Sequence, residues 1–470
     1  MNFHWSIFID LGIISAALLI ATLIRARVRF FQKYLIPNSL TAGFLLLPFY
    51  NYLAPLLGLG TGGLENMIYH LLNISFISMS LRKAPQRTSG KSVFSTAITV
   101  MSQYPIQCLL GFGLTFLFIA TLIPNLFPSF GLFLPLGFWL GPGQSFAIGK
   151  GWESYGFQGA GSVGLTFAAC GFLWACFGGI FLINLALRKN WIEGMSIESL
   201  NQEEVRRGIL KKGASHPIGS EITTMPEAID TMSYHLVIVF GVYLLAFLFL
   251  KGITYLLSFA GPKGMDLAVN LWGISFIFAA LIALGARNLF NLAGISYTLD
   301  NGSLNRIAGT SVDIMVAASL GAISLTVVAR YWLPITAIVM IGGLATLISV
   351  LWLSSRIFKD YNFHRAILIY GALTGTLVTG LALLRVVDRD FKTPAASDYM
   401  YAVGLCFFFA IPLILSINFP VYGYSTGNTL YYWLCLAIYS AYLLFVLISY
   451  WALTGKGAFS QAGTVWRKRR

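Results

Sequence analysis

Charged residues are scarce in this chain of 470 residues. Only 10% of the chain is Asp, Glu, Lys or Arg, whereas 57% is hydrophobic. A soluble globular domain carries about 25% charged residues. The chain therefore has too little polar surface to cover a water-soluble globule, which excludes a soluble enzyme, a disordered protein and a coiled coil.

Motifs for metal binding and nucleophilic catalysis are also missing from the sequence. The five cysteines lie inside apolar runs without CxxC spacing, and the five histidines have no metal-ligand spacing. No Ser, His and Asp arrangement of a nucleophilic enzyme stands out. The sequence therefore gives no support for an enzyme, and a membrane-embedded enzyme or a sensor is the least favoured alternative.

Long apolar runs dominate what is present. A bilayer core is about 30 Å thick and needs about 20 apolar residues in a helix. The runs predict eleven spans, near 6–24, 38–57, 67–81, 93–123, 162–187, 234–259, 267–286, 308–329, 331–355, 399–419 and 430–453. The predicted fold class is an all-α polytopic membrane protein.

Two further apolar stretches, 131–149 and 363–384, are rich in glycine and small polar residues. If both enter the bilayer and return to the side they came from, and the N-terminus is outside, 27 of the 31 lysines and arginines are cytoplasmic. Basic residues concentrate in cytoplasmic loops. We therefore predict two re-entrant hairpins in a multi-pass protein of the cell (inner) membrane with a cytoplasmic C-terminus. The net charge of +14 is then membrane-anchoring charge and requires no nucleic acid.

The order of spans and hairpins repeats along the chain. An offset of about 234 residues maps residues 1–187 onto 233–421, and it places Gly137-x-x-x-Gly141 on Gly371-x-x-x-Gly375. Five spans per copy is an odd number, so the second copy is predicted to be inverted in the membrane. Segment 188–232 is the predicted cytoplasmic linker, with a short surface helix over 198–212, and 422–470 supplies an extra span and a basic tail.

Inverted repeats with broken helices are typical of secondary transporters, whose substrate site lies where the repeats meet. The free N–H groups at a helix break attract a carboxylate, and the free carbonyls suit a hard cation such as Na⁺. The predicted substrate-binding residues are Gly141, Gly143, Gln144, Ser145, Gly371, Thr374, Gly375, Thr376, Thr379 and Arg385. The predicted sodium ligands are Ser145, Thr374 and Asp313.

Several polar residues allow two interpretations from sequence alone. Lys150 and Arg385 either contact the substrate or anchor the hairpins, and each has an acid three residues later, Glu153 and Asp388. Asp313 either binds a coupling ion or acts at the N-terminal end of its helix. The polar residues of the fourth span either line the cavity or make contacts between helices; they are Ser102, Gln103 and Gln107.

The chain resembles the bacterial sodium/glutamate symporter family over roughly residues 5–420. The resemblance rests on these motifs: Ile36-Pro37 followed by Gly43, Gly141-Pro142-Gly143-Gln144-Ser145 with Tyr155-Gly156-Phe157 behind it, and Lys359-Asp360-Tyr361 leading into Gly371–Gly375. It implies Na⁺-coupled uptake of glutamate or a related carboxylate, with no other cofactor. It also implies two inverted five-span repeats that work as an elevator within a homodimer.

A different coupling ion is the main alternative within the transporter class. A proton-coupled carrier or a cation/proton antiporter fits the same spans and hairpins. In that case Asp313 or Asp388 is expected to set the pH dependence, because an acid in a membrane helix is a natural proton carrier.

The predicted orientation is testable with reporter fusions. A fluorescent protein fused to the C-terminus should fluoresce, and alkaline phosphatase fused there should stay inactive, because the positive charge keeps that end in the cytoplasm. Phosphatase fused after Gly427, between the last two spans, should be active. The opposite pattern would refute the orientation.

Overall fold

A computed structural model describes residues 5–83, 90–192, 207–209, 219–388, 393–455, 459 and 461–467. All of the regular structure in these ranges is helical. The first half contributes α1 (Ser6–Arg27), α2 (Arg29–Lys33), α3 (Asn38–Leu57), α4 (Gly62–Leu81), α5 (Gly90–Thr121), α6 (Phe130–Leu140), α7 (Pro142–Glu153) and α8 (Ala160–Arg188).

The second half begins after the linker. It contributes α9 (Thr231–Ser258), α10 (Gly261–Gly273), α11 (Ser275–Leu292), α12 (Asn301–Gly321), α13 (Leu325–Ile357), α14 (Asn362–Thr374), α15 (Leu377–Val387), α16 (Ala395–Ser416), α17 (Phe419–Thr426) and α18 (Leu430–Thr454). The surface helix predicted over 198–212 lies outside the described residues, apart from 207–209.

Eight of the described helices are long and apolar enough to cross a membrane. They are α1, α3, α5, α8, α9, α11, α13 and α18. The chain is therefore an all-helical, multi-pass membrane protein, as the composition predicts. The third predicted span, 67–81, belongs to a longer helix, α4, which begins at Gly62.

Two predicted span boundaries are wrong. The span predicted at 267–286 is two helices that meet at Ile274, where the backbone leaves the helical conformation (φ −110°, ψ 24°). The span predicted at 308–329 is also wrong, because its helix ends at Gly321 and a new helix begins at Leu325. The predicted start of the next span, at residue 331, coincides with a kink at Tyr331, where the backbone leaves the helical conformation (φ −112°, ψ 17°). The guanidinium group of Arg330 lies over the ring of Tyr331, 5.3 Å from the ring centroid.

The helices pack as two bundles that each combine both halves of the chain. The first bundle contains α1, α3, α4, α9, α10, α11 and α12. The second contains α5 to α8 and α13 to α18. Helix α7 makes most of the contacts between the bundles, since it packs against α4, α10 and α12 as well as against α8. The chain segment around α7 therefore lies at the junction between bundles.

Glycine lets α6 approach the long helix α5 backbone to backbone. A β-carbon on Gly111 would overlap the carbonyl of Gly131, and one on Gly131 would overlap the carbonyl of Gly111. The Gly131 N–H donates to Thr115 Oγ1 at 2.8 Å, which fixes the contact. This packing holds the first arm of the broken segment against α5.

Gly111→Ala should destabilise the protein by about 1–3 kcal/mol, because the added methyl group has no room beside the Gly131 backbone. The matched control is Gly113→Ala in the same helix, where no atom lies within 4 Å of the new β-carbon. The control should be neutral or slightly stabilising, because alanine favours a helix over glycine by about 1 kcal/mol. Thermal unfolding in detergent measures both. Equal midpoints would show that the contact is not tight.

Candidate functional site

The first of the two helix breaks lies at Gly141, between α6 and α7. Its backbone has φ 94° and ψ −177°, a conformation that essentially only glycine adopts. Pro142 follows as the first residue of α7, where its missing N–H costs nothing. The sequence Gly-Pro-Gly thus ends one helix and starts the next without an intervening loop.

The second break lies at Gly375 and Thr376, between α14 and α15. Gly375 has φ −124° and ψ −102°, and Thr376 is extended. The Thr376 hydroxyl caps α15 by accepting the Thr379 N–H at 3.5 Å. A glycine followed by a capping threonine therefore produces the second break.

The two breaks face each other. A β-carbon on Gly141 would lie 4.0 Å from Cγ2 of Thr376 and 3.8 Å from Oε1 of Gln144. Both helices that begin here, α7 and α15, direct their first free N–H groups towards this point. Two positive helix ends therefore meet, and together they favour a negatively charged group.

Gln144 is the polar side chain at this point. It is 4% exposed, and its amide makes no hydrogen bond to any of the described residues. Its amide N and O are not among the fully enclosed side-chain atoms without a partner, so the amide is open to the space beside the two helix starts and is able to bond a ligand there. The position of Gln144 beside two helix starts is therefore typical of a ligand-binding group.

Other predicted site residues make structural contacts instead. Ser145 Oγ donates to the Gly164 carbonyl of α8 at 2.9 Å, and Thr374 Oγ1 donates to the Tyr370 carbonyl at 2.8 Å. A β-carbon on Gly371 would lie 2.9 Å from Gly380 Cα, so this glycine lets the two arms pack closely. The hydroxyl groups of Ser145 and Thr374 each donate their proton to a backbone carbonyl, but their oxygens can still accept a hydrogen bond or bind a cation.

Polar side chains of α5 connect the second break to α13. Gln107 Nε2 donates to Thr346 Oγ1 at 3.0 Å and to the Leu373 carbonyl at 3.5 Å. Ser349 Oγ donates to Gln103 Oε1 at 2.7 Å. The fourth span therefore uses these residues for contacts between helices. Oε1 of Gln107 is nevertheless buried without a hydrogen-bond partner, next to the carbonyl end of α14.

The basic residues of the two hairpin regions lie away from the breaks. Lys150 pairs with Glu153 at 3.0 Å, as the i, i+3 spacing predicts, and also with Glu65 of α4 at 3.2 Å. Arg385 is exposed and lies nine residues after Thr376, or about 13 Å along α15. The structure thus does not bring Arg385 to the breaks themselves, and its contact with a substrate stays a prediction.

Asp313 lies on the wrong side of α12 to join the predicted sodium ligands. A β-carbon on Gly143 would lie 2.8 Å from the sulfur of Met315, so Met315 faces the first break. A residue two positions away points about 200° round the helix. Asp313 instead lies beside Ser39 in the first turn of α3. A role at the start of its own helix is also wrong, because α12 begins twelve residues earlier, at Asn301.

A buried ion pair that the sequence did not reveal holds the base of α14. Arg365 and Asp398 are each 1% exposed, and Nη1 lies 2.5 Å from Oδ2. Ser92 of α5 donates to the same carboxylate oxygen at 2.5 Å. The pair connects α14, α16 and α5. In sequence, both charges lie at the edges of apolar runs, which is indistinguishable from ordinary interfacial charge.

Asp398→Ala should destabilise the protein by about 3–5 kcal/mol, because Arg365 would remain buried with only the exposed Asp360 as a partner, 3.5 Å from its Nη2. The double variant Arg365→Met with Asp398→Leu should lose much less, since it leaves no buried charge. Thermal unfolding in detergent compares the two. A double variant no more stable than the single one would contradict the role assigned to the pair.

No protein-family model, no curated protein and no solved structure matches the chain. The functional assignment therefore depends on the residues and geometry of the two facing breaks.

Proposed function

We propose that the chain is a secondary active transporter that carries glutamate or a related carboxylate across the cell membrane together with sodium. The observation that carries the proposal is the meeting of two helix starts at Gly141 and Thr376, with the unpartnered amide of Gln144 beside them. A carboxylate accepts hydrogen bonds from helix N–H groups and from an amide NH₂. This arrangement binds an anion without a basic side chain.

Arm length supports re-entrant hairpins in the proposal. The arms are α6, α7, α14 and α15, and none is longer than 13 residues. At 1.5 Å per residue each arm reaches about 20 Å at most, whereas the bilayer core is about 30 Å thick. Two arms in line would be long enough to cross, but the arms of each pair lie side by side: the rings of Phe133 and Trp152 are 4.9 Å apart, and a β-carbon on Gly371 would lie 2.9 Å from Gly380 Cα. In the proposal each pair therefore enters the membrane, turns at the break and returns to its own side.

Equivalent positions in the two halves support the inverted repeat. An offset of 234 residues carries Gly141 onto Gly375, the last residue of α6 onto the last of α14, and the last of α7 onto the last of α15. The same offset pairs α3 with α11 and α4 with α12. The contact of α3 with α12 then corresponds to the contact of α11 with α4, and both contacts are present. Apart from α10 and the C-terminal helices α17 and α18, each bundle contains equivalent elements from both halves, as a pseudo-two-fold repeat requires.

Neutral oxygens at the opposite ends of the broken helices supply the proposed sodium site. α14 ends at the break with free carbonyls, and Gln107 Oε1 and the Thr374 hydroxyl add oxygens beside them. The Ser145 hydroxyl lies further away, because Ser145 contacts Gly164 of α8 and the Thr374 carbonyl contacts Gly171, which is seven residues or about 10 Å along the same helix. Na⁺ is a hard cation and prefers oxygen ligands. Among the described residues no group of three or more His, Cys, Asp or Glu suits a metal ion, so the proposed site is built from neutral groups.

The two bundles suggest how the substrate moves. In the proposal the second bundle carries both hairpins and shifts as a unit against the first, which is held in a homodimer. Because α7 makes most of the contacts between the bundles, that movement takes place along α7. This is an elevator mechanism, with the substrate enclosed between the two hairpin tips.

Proton coupling is the second candidate function, because α12 and the end of α15 each carry an acid, although neither acid lies at the breaks. Asp313 is an exposed acid in the middle of α12, and Asp388 is 7% exposed and accepts hydrogen bonds from Thr393 at the base of α15. Either acid is able to bind a proton in place of sodium. The coupling ion is therefore the first quantity to measure.

Purified protein in liposomes should accumulate radiolabelled glutamate when an inward Na⁺ gradient is imposed. Gln144→Leu should raise the KM at least about tenfold, because a hydrogen bond to a charged group contributes about 1.5–3 kcal/mol. Gln158→Leu, at an exposed glutamine after the same hairpin, is the matched control and should transport normally.

Three outcomes would count against the proposal. Uptake driven by a pH gradient and independent of Na⁺ would favour proton coupling through Asp313 or Asp388. An unchanged KM in Gln144→Leu would show that the substrate does not bind beside Gln144 at the two breaks. The absence of any flux of glutamate or related carboxylates would favour an enzyme or a sensor.

A further inference from the structure

Residues 461–467 lie against the cytoplasmic end of the second bundle. Arg356, at the end of α13, is 2% exposed and donates from Nη2 to the Gln461 carbonyl at 2.7 Å and to the Thr464 carbonyl at 2.8 Å. The indole N–H of Trp352 donates to the Ala462 carbonyl at 2.9 Å. One buried arginine and one indole therefore hold the backbone of this tail, residues 461–467.

Trp466 is the side chain that the tail presents to the helices. It stacks on Trp191 with ring centroids 4.6 Å apart and an interplanar angle of 15°. Its other contact is an edge-to-face approach to Phe363, with centroids 5.9 Å apart. Trp191 follows the end of α8 and Phe363 lies in the first turn of α14. Trp466 therefore joins α8 to the base of the second hairpin.

The seam between α8 and α14 leads from this tryptophan to the second break. Tyr370 of α14 donates its hydroxyl to the Trp174 carbonyl of α8 at 2.8 Å. Further along, a β-carbon on Gly171 would overlap the Thr374 carbonyl. The seam thus runs from Trp191 and Phe363 at the cytoplasmic end to the break, and Trp466 closes its open end.

We propose that the C-terminal tail, residues 461–467, is a cytoplasmic latch that keeps the second hairpin closed. Arg356 holds the backbone of the tail, and Trp466 makes the contacts that keep α14 against α8. Opening of the hairpin towards the cytoplasm separates α14 from α8, which requires Trp466 to leave either Trp191 or Phe363. The opposite side of α14 is fixed by the Arg365–Asp398 pair, so that side acts as the hinge. The latch rests on the proposed function, in which this hairpin encloses the substrate.

The test is the accessibility of the hairpin tip from the cytoplasm. A cysteine in place of Thr376 is exposed to a membrane-impermeant thiol reagent in inside-out vesicles, and the parent chain with its five native cysteines gives the background. Trp466→Ala should raise the labelling rate of this cysteine about fivefold, because two aromatic contacts that favour the closed form are lost. Trp466→Phe should give an intermediate rate.

The matched control is Val465→Ala. Val465 is the neighbouring tail residue and is 41% exposed, so its loss should leave the labelling rate unchanged. Thermal unfolding in detergent checks that each variant is folded. Arg356→Lys is an independent variant; it keeps the charge but loses the fork of N–H groups, so it too should speed labelling.

Equal labelling rates in Trp466→Ala and the parent Thr376→Cys chain would overturn the latch and leave the transport proposal intact. Labelling from the outside only would overturn both, because the second hairpin would then open on the wrong side. Faster labelling in Trp466→Ala together with no Na⁺-driven uptake by the wild-type chain would support the latch and refute sodium-coupled transport.

Discussion

Every backbone N–H and C=O group in the bilayer core must have a partner, because lipid supplies none. A break in a helix at that depth leaves several of these groups free. Both breaks of this chain are enclosed by protein, between α5, α8 and the opposite break, as their proposed place within the bilayer requires. Enclosure protects the free groups from lipid, and it also directs them at one point, which is why the breaks form a site.

The same constraint explains the use of glycine around the breaks. The arms must come close enough for their own backbones to pack, so glycines occur where helices meet, at Gly111 against Gly131 and at Gly371 against Gly380. Charged residues fix the arms from their outer ends, through Lys150 with Glu65 and through Arg365 with Asp398. The outer ends are fixed by ion pairs and the arms pack against each other. The backbone N–H and C=O groups at the tips are then the polar groups of each hairpin that stay free.

Sequence reasoning identified the helices and both breaks because their signals are local. Runs of about 20 apolar residues, the Gly-Pro-Gly at 141–143 and the Gly-Thr at 375–376 each follow from neighbouring residues. It failed where the partner is distant in sequence. The Arg365–Asp398 pair and the tail contact of Trp466 depend on which helix ends meet, and a single sequence carries no trace of that. The prediction of Asp313 as a sodium ligand failed for the same reason, because packing of α12 against α3 and α7 decides which way Asp313 faces.

The absence of charge at the tips gives a physical reason for coupling. No residue in 136–149 or 368–384 is charged. Helix ends of about half a positive charge each stabilise an anion, but they do not cancel its full charge in a low-dielectric setting. A tip site holding only a carboxylate would therefore carry net charge through the membrane during movement of the second bundle. In the proposed function, sodium bound at the carbonyl ends removes that charge, so the bundle moves readily when it holds both partners or neither. Coupling then follows from electrostatics at the tips and needs no dedicated ion-pair switch.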